Sequence, residues 1–255
     1  MTPFELARPA TLAEALALLD EDSRPFSGGT ALMLMMKAGV LRPRRLVSLA
    51  GLSLNRIEIQ DSLRVGAMTT LRQLETHEAV KRGWPVIARA LRTLSNVRVR
   101  NVATVGGALA HADPHMDLPP LLAALGARVT IRGKHGERSL PVEDLYAGYL
   151  ENTLKKDEII THLEVPALGK RRAAYLKCTT RTADDWPAVA VAVALGDEER
   201  IFVSAATDRP TRLADANAIE SLKIEGDLHG SAAYKRELLK VYLKRAIHEA
   251  RNAGH

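Results

Sequence analysis

Ser27-Gly28-Gly29-Thr30-Ala31-Leu32 and Thr104-Val105-Gly106-Gly107-Ala108-Leu109 are two versions of one pattern. Each sets a hydroxyl and a pair of glycines directly before an apolar stretch. Glycine, lacking Cβ, lets a backbone approach a ligand closely, and successive amides at such a turn direct partial positive charge at an anion. Two such loops can close on the two phosphates of a dinucleotide from opposite sides; two tight turns account for the same glycines without a ligand. The chain has neither G-x-G-x-x-G nor G-x-x-x-x-G-K-[ST], which disfavours a Rossmann half and a P-loop.

Outward from the first loop, short strands and helices alternate. Thr11-Leu12-Ala13-Glu14 reads as a capping box opening a helix with Leu12, Ala15, Leu16 and Leu19 on one face. The spacing predicts a helix over 32–37, ended by Gly39, and a strand over 45–49. From about Asn55 the texture changes. Ile57, Ile59, Leu63 and Val65 alternate across an Asp61-Ser62 turn and predict a hairpin. Helices are expected over 70–75, 78–94 and 118–125, the last entered through Pro119-Pro120. Strands are expected over 129–132 and 159–165. The Pro-, Gly- and cation-rich segment 166–172 marks a boundary. Beyond it lie strands over 174–180, 188–195 and 201–206, with Val189-Ala190-Val191-Ala192-Val193 the clearest alternation. Two helices are expected to close the chain, over 214–223 and 232–250.

Composition narrows the function. At 255 residues, 46% hydrophobic and 26% charged, the chain can bury a sizeable core. A single cysteine, Cys178, excludes an internal disulfide, a Cys-ligated iron–sulfur cluster and a Cys-rich zinc site. The net charge of +6 suits an anionic ligand or an acidic partner surface. A nucleic-acid role would rest on charge alone: Arg42, Arg44 and Arg45, Arg98 and Arg100, and Lys170, Arg171 and Arg172 form scattered clusters, and aromatics make up only 4%. Met1-Thr2-Pro3-Phe4-Glu5 shows no secretory pattern and no apolar run reaches transmembrane length, so a cytoplasmic location is expected.

Several side chains stand out as candidates. His111, Asp113 and His115 alternate like metal ligands, but Pro114 breaks any helical His-x-x-x-His face, and a metal site is disfavoured. Asp117, directly before an apolar helix, can accept hydrogen bonds from ligand hydroxyls, cap the helix, or do both. Tyr175 and Lys177 share a strand face by period two, a pairing suited to a planar ligand that becomes anionic on reduction. On these residues alone, a half-exposed strand with solvated charges is the favoured account. Cys178, on the opposite face, reads as a small core residue.

With these segments in order, the chain resembles the FAD-binding subunit of molybdenum hydroxylases, the family of carbon monoxide dehydrogenase medium subunits and xanthine dehydrogenase flavin domains. The likeness rests on residues 25–32, on 99–109, on Asp117-Leu118-Pro119, on Asp157-Glu158-Ile159-Ile160, on 175–185 and on 230–238. It implies an α+β fold: a two-lobed, PCMH-type FAD-binding domain over 1–168, with lobes of about 1–54 and 55–168, then a small α+β C-terminal domain over 169–255. It assigns FAD pyrophosphate binding to Ser27, Gly28, Gly29, Thr30, Ala31 and Leu32, and to Thr104, Gly106, Gly107 and Ala108. It places Asp117, and less directly Asp113, at the ribityl or ribose region, Ile160 beside the flavin, Lys177 at its pyrimidine side and Tyr175 against the ring. Ala31 and Ala108 stand where many relatives carry Asp and Asn, and the C-terminal domain looks shortened between Ala218 and Gly230.

The function so implied is electron transfer within a complex. A large subunit would carry the molybdenum cofactor and a small subunit the [2Fe–2S] clusters, assembled as a dimer of heterotrimers. The alternatives are a free-standing FAD-dependent oxidoreductase with its own small organic substrate and, from another class, a basic nucleic-acid-binding or scaffold protein.

Overall fold

In the computed structural model, which describes residues 2–253, three sheets follow one another along the chain. The first is parallel, ordered β1-β3-β2 from β1 (Glu5–Ala7), β2 (Ser23–Phe26) and β3 (Arg45–Ser48). Its crossovers carry α1 (Leu12–Ala17) and α2 (Leu32–Lys37). The Thr11 hydroxyl accepts the Glu14 amide as the capping pattern requires, but the Glu14 carboxylate takes the Ala10 amide. Ala15, Leu16, Leu19, Val47 and Leu49 close this small core.

The second sheet is antiparallel and larger. Its order is β4-β5-β10-β6-β7, built from β4 (Ile57–Ile59), β5 (Ser62–Gly66), β6 (Arg128–Gly133), β7 (Gly136–Pro141) and β10 (Ile159–Pro166). The expected hairpin is present, with Ile57 opposite Val65 and Ile59 opposite Leu63. Six helices lie between its strands in the chain: α3 (Leu71–Thr76), α4 (Glu78–Gly83), α5 (Pro85–Arg92), α6 (Val97–Arg100), α7 (Val105–His111) and α8 (Leu118–Ala124). Of these α7 packs on β5 and β10, α3 to α6 pack on one another, and α8 joins α5 and α7. A small ribbon, β8 (Tyr146–Gly148) with β9 (Glu151–Asn152), lies beyond it.

Two corrections concern helices. The single helix expected over 78–94 is broken at Trp84, because Pro85 cannot donate to the preceding turn and instead starts α5. The helix expected over 214–223 is only a short 3-10 turn, Ala216–Ile219, held by the Asp215 carboxylate accepting the Asn217 and Ala218 amides. The strand β7 carries Glu137, Arg138 and Ser139 in place of an apolar alternation, and pairing with β6 alone reveals it.

The third sheet, β11-β12-β13-β14, is antiparallel, from β11 (Arg172–Thr179), β12 (Pro187–Leu195), β13 (Arg200–Ser204) and β14 (Thr211–Leu213). One long helix, α9 (Ala232–Asn252), covers one face. The alternation in β12 separates two cores. Val189, Val191 and Val193 face α9, while Ala190, Ala192 and Ala194 join the core that contains α5 and α8. The small alanines let α8 sit close. Among the described residues no helix is long and apolar enough to cross a membrane.

Candidate functional site

Although 77 residues apart, the two glycine loops are in contact: the Thr104 hydroxyl donates to Ser27 Oγ at 3.1 Å. A Cβ on Gly28 would lie 2.1 Å from the Val102 carbonyl oxygen, so only glycine lets the first loop pass over the chain leading into the second. Gly29 adopts φ +71°, which turns the chain from β2 into α2. Among the described residues, the amides of Gly28, Gly29, Thr30, Ala31 and Leu32 meet no acceptor, a run of donors that makes an anion-binding nest.

The second loop is built differently. Val105 donates to the Thr69 carbonyl at 2.9 Å, Gly106 to Ala67 at 2.8 Å and Ala108 to Thr104 at 2.9 Å. Gly107 donates to the Thr104 hydroxyl, the N-cap of α7. Every amide at this helix start is therefore engaged. Gly106 is needed because its Cβ would lie 2.6 Å from that of Ala67, and Gly107 because its Cβ would lie 2.9 Å from the hydroxyls of Ser27 and Thr104. Ile160 is buried in β10, next to Thr161, whose carbonyl accepts the Ala67 amide. Strand, second loop and first loop thus form one joined unit.

A second group crosses from α8 to the third sheet. Tyr175 donates to Asp117 Oδ1 at 2.8 Å, and Lys177 Nζ lies 3.0 Å from the same oxygen. Lys177 also donates to the carbonyls of Thr93 at 2.7 Å and Asp185 at 3.2 Å, which occupies all three of its protons. Asp117 precedes α8 but its side chain caps nothing. Burial pushes the Asp117 carboxyl up, opposed by the Lys177 ammonium and the Tyr175 hydroxyl; burial and the neighbouring carboxylate push the Tyr175 phenol up as well. The shared strand face expected for Tyr175 and Lys177 exists, and what it meets is Asp117.

A third group lies around Asp113. Its Oδ1 accepts the His115 amide at 2.8 Å and sits 3.0 Å from His115 Nδ1. The other His115 nitrogen is 3.0 Å from Asp227 Oδ2, which pairs with Lys235 at 2.6 Å. Lys235 is 1% exposed and also donates to the Ala205 carbonyl, while the Ala205 amide donates to that of Pro114, closing a ring between the α7–α8 loop and the unit of the third sheet and α9. Burial opposes a charged His115, but Asp113 and Asp227 outweigh it and raise its pKa. Burial likewise works against the Asp227 carboxylate, yet Lys235, the His229 amide and His115 hold its pKa down. Trp186 and His229 each lie 5.5 Å from the His115 ring, centroid to centroid.

One segment, 104–117, contributes to all three groups through Thr104, Asp113 and Asp117. Ala112, at φ 56°, is the left-handed turn that ends α7 and redirects the chain. Sequence reasoning missed Asp227, Lys235 and Trp186 as companions of His115, since no spacing signal connects residues so far apart. The basic clusters, conversely, dissolve into structure. Arg100 is buried against Glu75, Arg45 pairs with Glu5, and Arg171 donates to the Leu125 and Ala167 carbonyls.

Comparison with known proteins gives a consistent answer. Residues 2–168 match the family described as the FAD binding domain in molybdopterin dehydrogenase. The nicotine 6-hydroxylase medium subunit of Paenarthrobacter nicotinovorans is 31% identical over 96% of this chain and 96% of that one. The glyceraldehyde dehydrogenase medium chain of Sulfolobus acidocaldarius is 30% identical, covering 96% and 98% respectively. Among solved structures, a chain of the Hydrogenophaga pseudoflava carbon monoxide dehydrogenase lacking the Mo-pyranopterin moiety superposes with a TM-score of 0.93, at 28% identity over 98% of both chains.

Proposed function

The chain belongs to the family of FAD-binding domains in molybdopterin dehydrogenases, and from that premise we propose that it is the FAD-carrying electron-transfer subunit of a molybdenum hydroxylase complex. It takes electrons from [2Fe–2S] clusters on a small subunit, which a large molybdenum-cofactor subunit supplies, and delivers them to an external acceptor. The complex is a dimer of such heterotrimers. When bound, FAD supplies the redox chemistry, accepting and releasing electrons.

The observation that carries this reading is the run of five amides, Gly28 to Leu32, that meet no acceptor among the described residues and lie against the second glycine pair. That cradle fits a diphosphate: the donors are preorganised, and no side chain on Gly28 or Gly29 blocks the approach. Ser27, Gly28, Gly29, Thr30, Ala31 and Leu32 hold the pyrophosphate. Thr104, Gly106, Gly107 and Ala108 shape the opposite wall, contributing a hydroxyl and small surfaces in place of amides. Ile160 adds an apolar wall beside them. Lys177 acts on a planar ring as a fixed positive charge, since its protons are already held by Asp117, Thr93 and Asp185. Tyr175 and Asp117 keep that charge in place, and Asp113 orients His115. We assign the FAD-binding domain to 1–168, with lobes meeting near residue 55, and the C-terminal domain to 169–255.

Purified with a tag on this chain, the protein is expected to show flavin absorbance in the visible and to bring down a large and a Cys-rich small subunit. Absence of flavin, with no binding on adding FAD, overturns the reading. Recovery of this chain alone, with an organic substrate bleaching its flavin, selects the free-standing oxidoreductase instead.

A further inference from the structure

The two faces of the first sheet are covered unequally. Its order, β1-β3-β2, makes the chain cross from β1 to β2 and then step back to β3. Right-handed crossovers in opposite directions put α1 and α2 on opposite faces. On the α1 side, Ala15, Leu16, Leu19, Val47 and Leu49 pack with Ile159 of the second sheet. Strand alternation turns Leu46 to the other side, with Leu6 beside it in register. That side carries α2, which contributes no residue to the core formed on the α1 side.

α2 reads Leu32-Met33-Leu34-Met35-Met36 before Lys37 and holds three of the chain's six methionines, yet only Met36 is buried. Leu34 is 65% exposed, Val40 73% and Leu6 43%. The Val40 amide donates to the Met35 carbonyl at 3.0 Å, which folds the turn after the helix back against it. A helix apolar all round is ordinarily covered, and an apolar patch left on a surface marks a contact site. Its rim is cationic. Lys37 and Arg42 are exposed, and among the described residues neither has a carboxylate within ion-pair distance, whereas Arg44 and Arg45 pair with Asp22 and Glu5. Methionine and arginine, with an apolar centre inside a polar rim, are the composition of a protein interface. Residues 32–42 contain no aromatic anchor of the kind a membrane-seated helix carries.

We propose that α2 and the turn through Arg42 dock a partner subunit whose contact surface is apolar at its centre and rimmed by carboxylates. The inference rests on the reading of this chain as one subunit of a complex. Lys37 and Arg42 select that occupant, because carboxylates opposite them complete the ion pairs they lack. A second copy of this chain fits worse: in a two-fold contact the patch faces itself, which gathers the cations of both copies around one apolar centre. The flexible thioethers of Met33 and Met35 adapt to the surface they meet.

The test compares the complex, recovered through a tag on this chain, with the full chain alone, both loaded with FAD. Peroxide oxidation of Met33 and Met35, read by peptide mass, is expected to slow by about tenfold in the complex. A benzophenone side chain in place of Leu34 is expected to cross-link to a partner subunit. The double variants Leu34→Glu/Val40→Glu and Lys37→Glu/Arg42→Glu are each expected to recover about tenfold less partner. Thermal midpoint and FAD titration of both isolated variants are expected to match the parent, since all four side chains are exposed. Partner recovered at the parental level by Leu34→Glu/Val40→Glu overturns the proposal. So does a cross-link from position 34 to a second copy of this chain, or Met33 and Met35 equally protected in the FAD-loaded chain alone. Sedimentation of the isolated chain with phosphatidylserine vesicles, abolished by Leu34→Glu/Val40→Glu, assigns the patch to a membrane and overturns it too. Recovery of the flavin-bearing parent with no partner overturns the complex reading and this proposal with it. A patch that fails while partners are still recovered leaves the complex reading standing.

Discussion

In the first glycine loop five successive amides, Gly28 to Leu32, meet no acceptor among the described residues, whereas in the second the amides of Val105, Gly106, Gly107 and Ala108 all donate within the chain. The residue patterns are nearly interchangeable, and the difference lies in what surrounds them. The first loop leaves the edge of a three-stranded sheet and passes over backbone at Val102. The second begins a buried helix between Ala67 and Thr69 and is held by both. Glycine serves two ends here: in one loop it leaves donors exposed, in the other it lets two backbones pack. The same division runs through the charged candidates. Lys177, which looks like a donor for a ligand, has every proton already bonded.

The strongest way to break this distinction is Lys177→Met. Removing the ammonium leaves the Asp117 carboxyl buried without its cation, and breaking such a pair costs about 3–5 kcal/mol. Urea unfolding at unchanged slope should show it, and adding Asp117→Leu should recover most of the loss. A single variant as stable as the parent would mean that Lys177 is not structurally engaged.

Gly28→Ala and Gly106→Ala sharpen the comparison directly. The added methyl groups would lie 2.1 Å from the Val102 oxygen and 2.6 Å from Ala67 Cβ, and each should cost about 1–3 kcal/mol of stability. Only Gly28→Ala should also weaken FAD binding strongly, by roughly a hundredfold, because it displaces charge-assisted hydrogen bonds worth about 1.5–3 kcal/mol each. Titration of folded apoprotein with FAD reads this out. Equal losses of affinity would show the second loop to be as direct a ligand as the first.

The smallest expected effect concerns the His115 bridge, where engagement depends on protonation. His115 has a raised folded pKa, so its contribution is present below the unfolded value near 6.5 and is lost as pH climbs through the folded value. Asp227 is depressed, so its contribution is present above 3.8 and is lost as pH falls through its folded value. The bridge is therefore tightest in mild acid. From about pH 6 to pH 9 the thermal midpoint of the parent should fall by about 2–4 °C more than that of His115→Gln, equivalent to about 1 kcal/mol. Parallel curves would remove His115 from the connection between the α7–α8 loop and the third-sheet unit.

Local pattern and resemblance carried different parts of the reading. The Ile57/Val65 hairpin, the Pro119-Pro120 helix start and the Val-Ala alternation of β12 were legible because each is set within a few residues by side-chain period or by the missing amide of proline. The break at Trp84-Pro85 was legible in principle, since proline in a helix interior loses a hydrogen bond and clashes with the preceding turn. The strand β7 was not, because its residues are polar and its state comes from pairing with β6. At the candidate site the sequence supplied the glycine pairs, Asp113, Asp117, Tyr175 and Lys177. It did not supply Asp227, Lys235 or Trp186, which become neighbours of His115 only on folding.

By itself, then, the sequence determined the elements with strong local period, the two glycine turns and, through the order of its motifs, the family. Which amides stay free for a phosphate was decided by tertiary structure, because a backbone donor is free or engaged according to what packs beside it. The same holds for Lys177, Tyr175 and Asp117, which meet by long-range contact. Composition sets how many donors and charges a chain carries; packing sets which of them remain available.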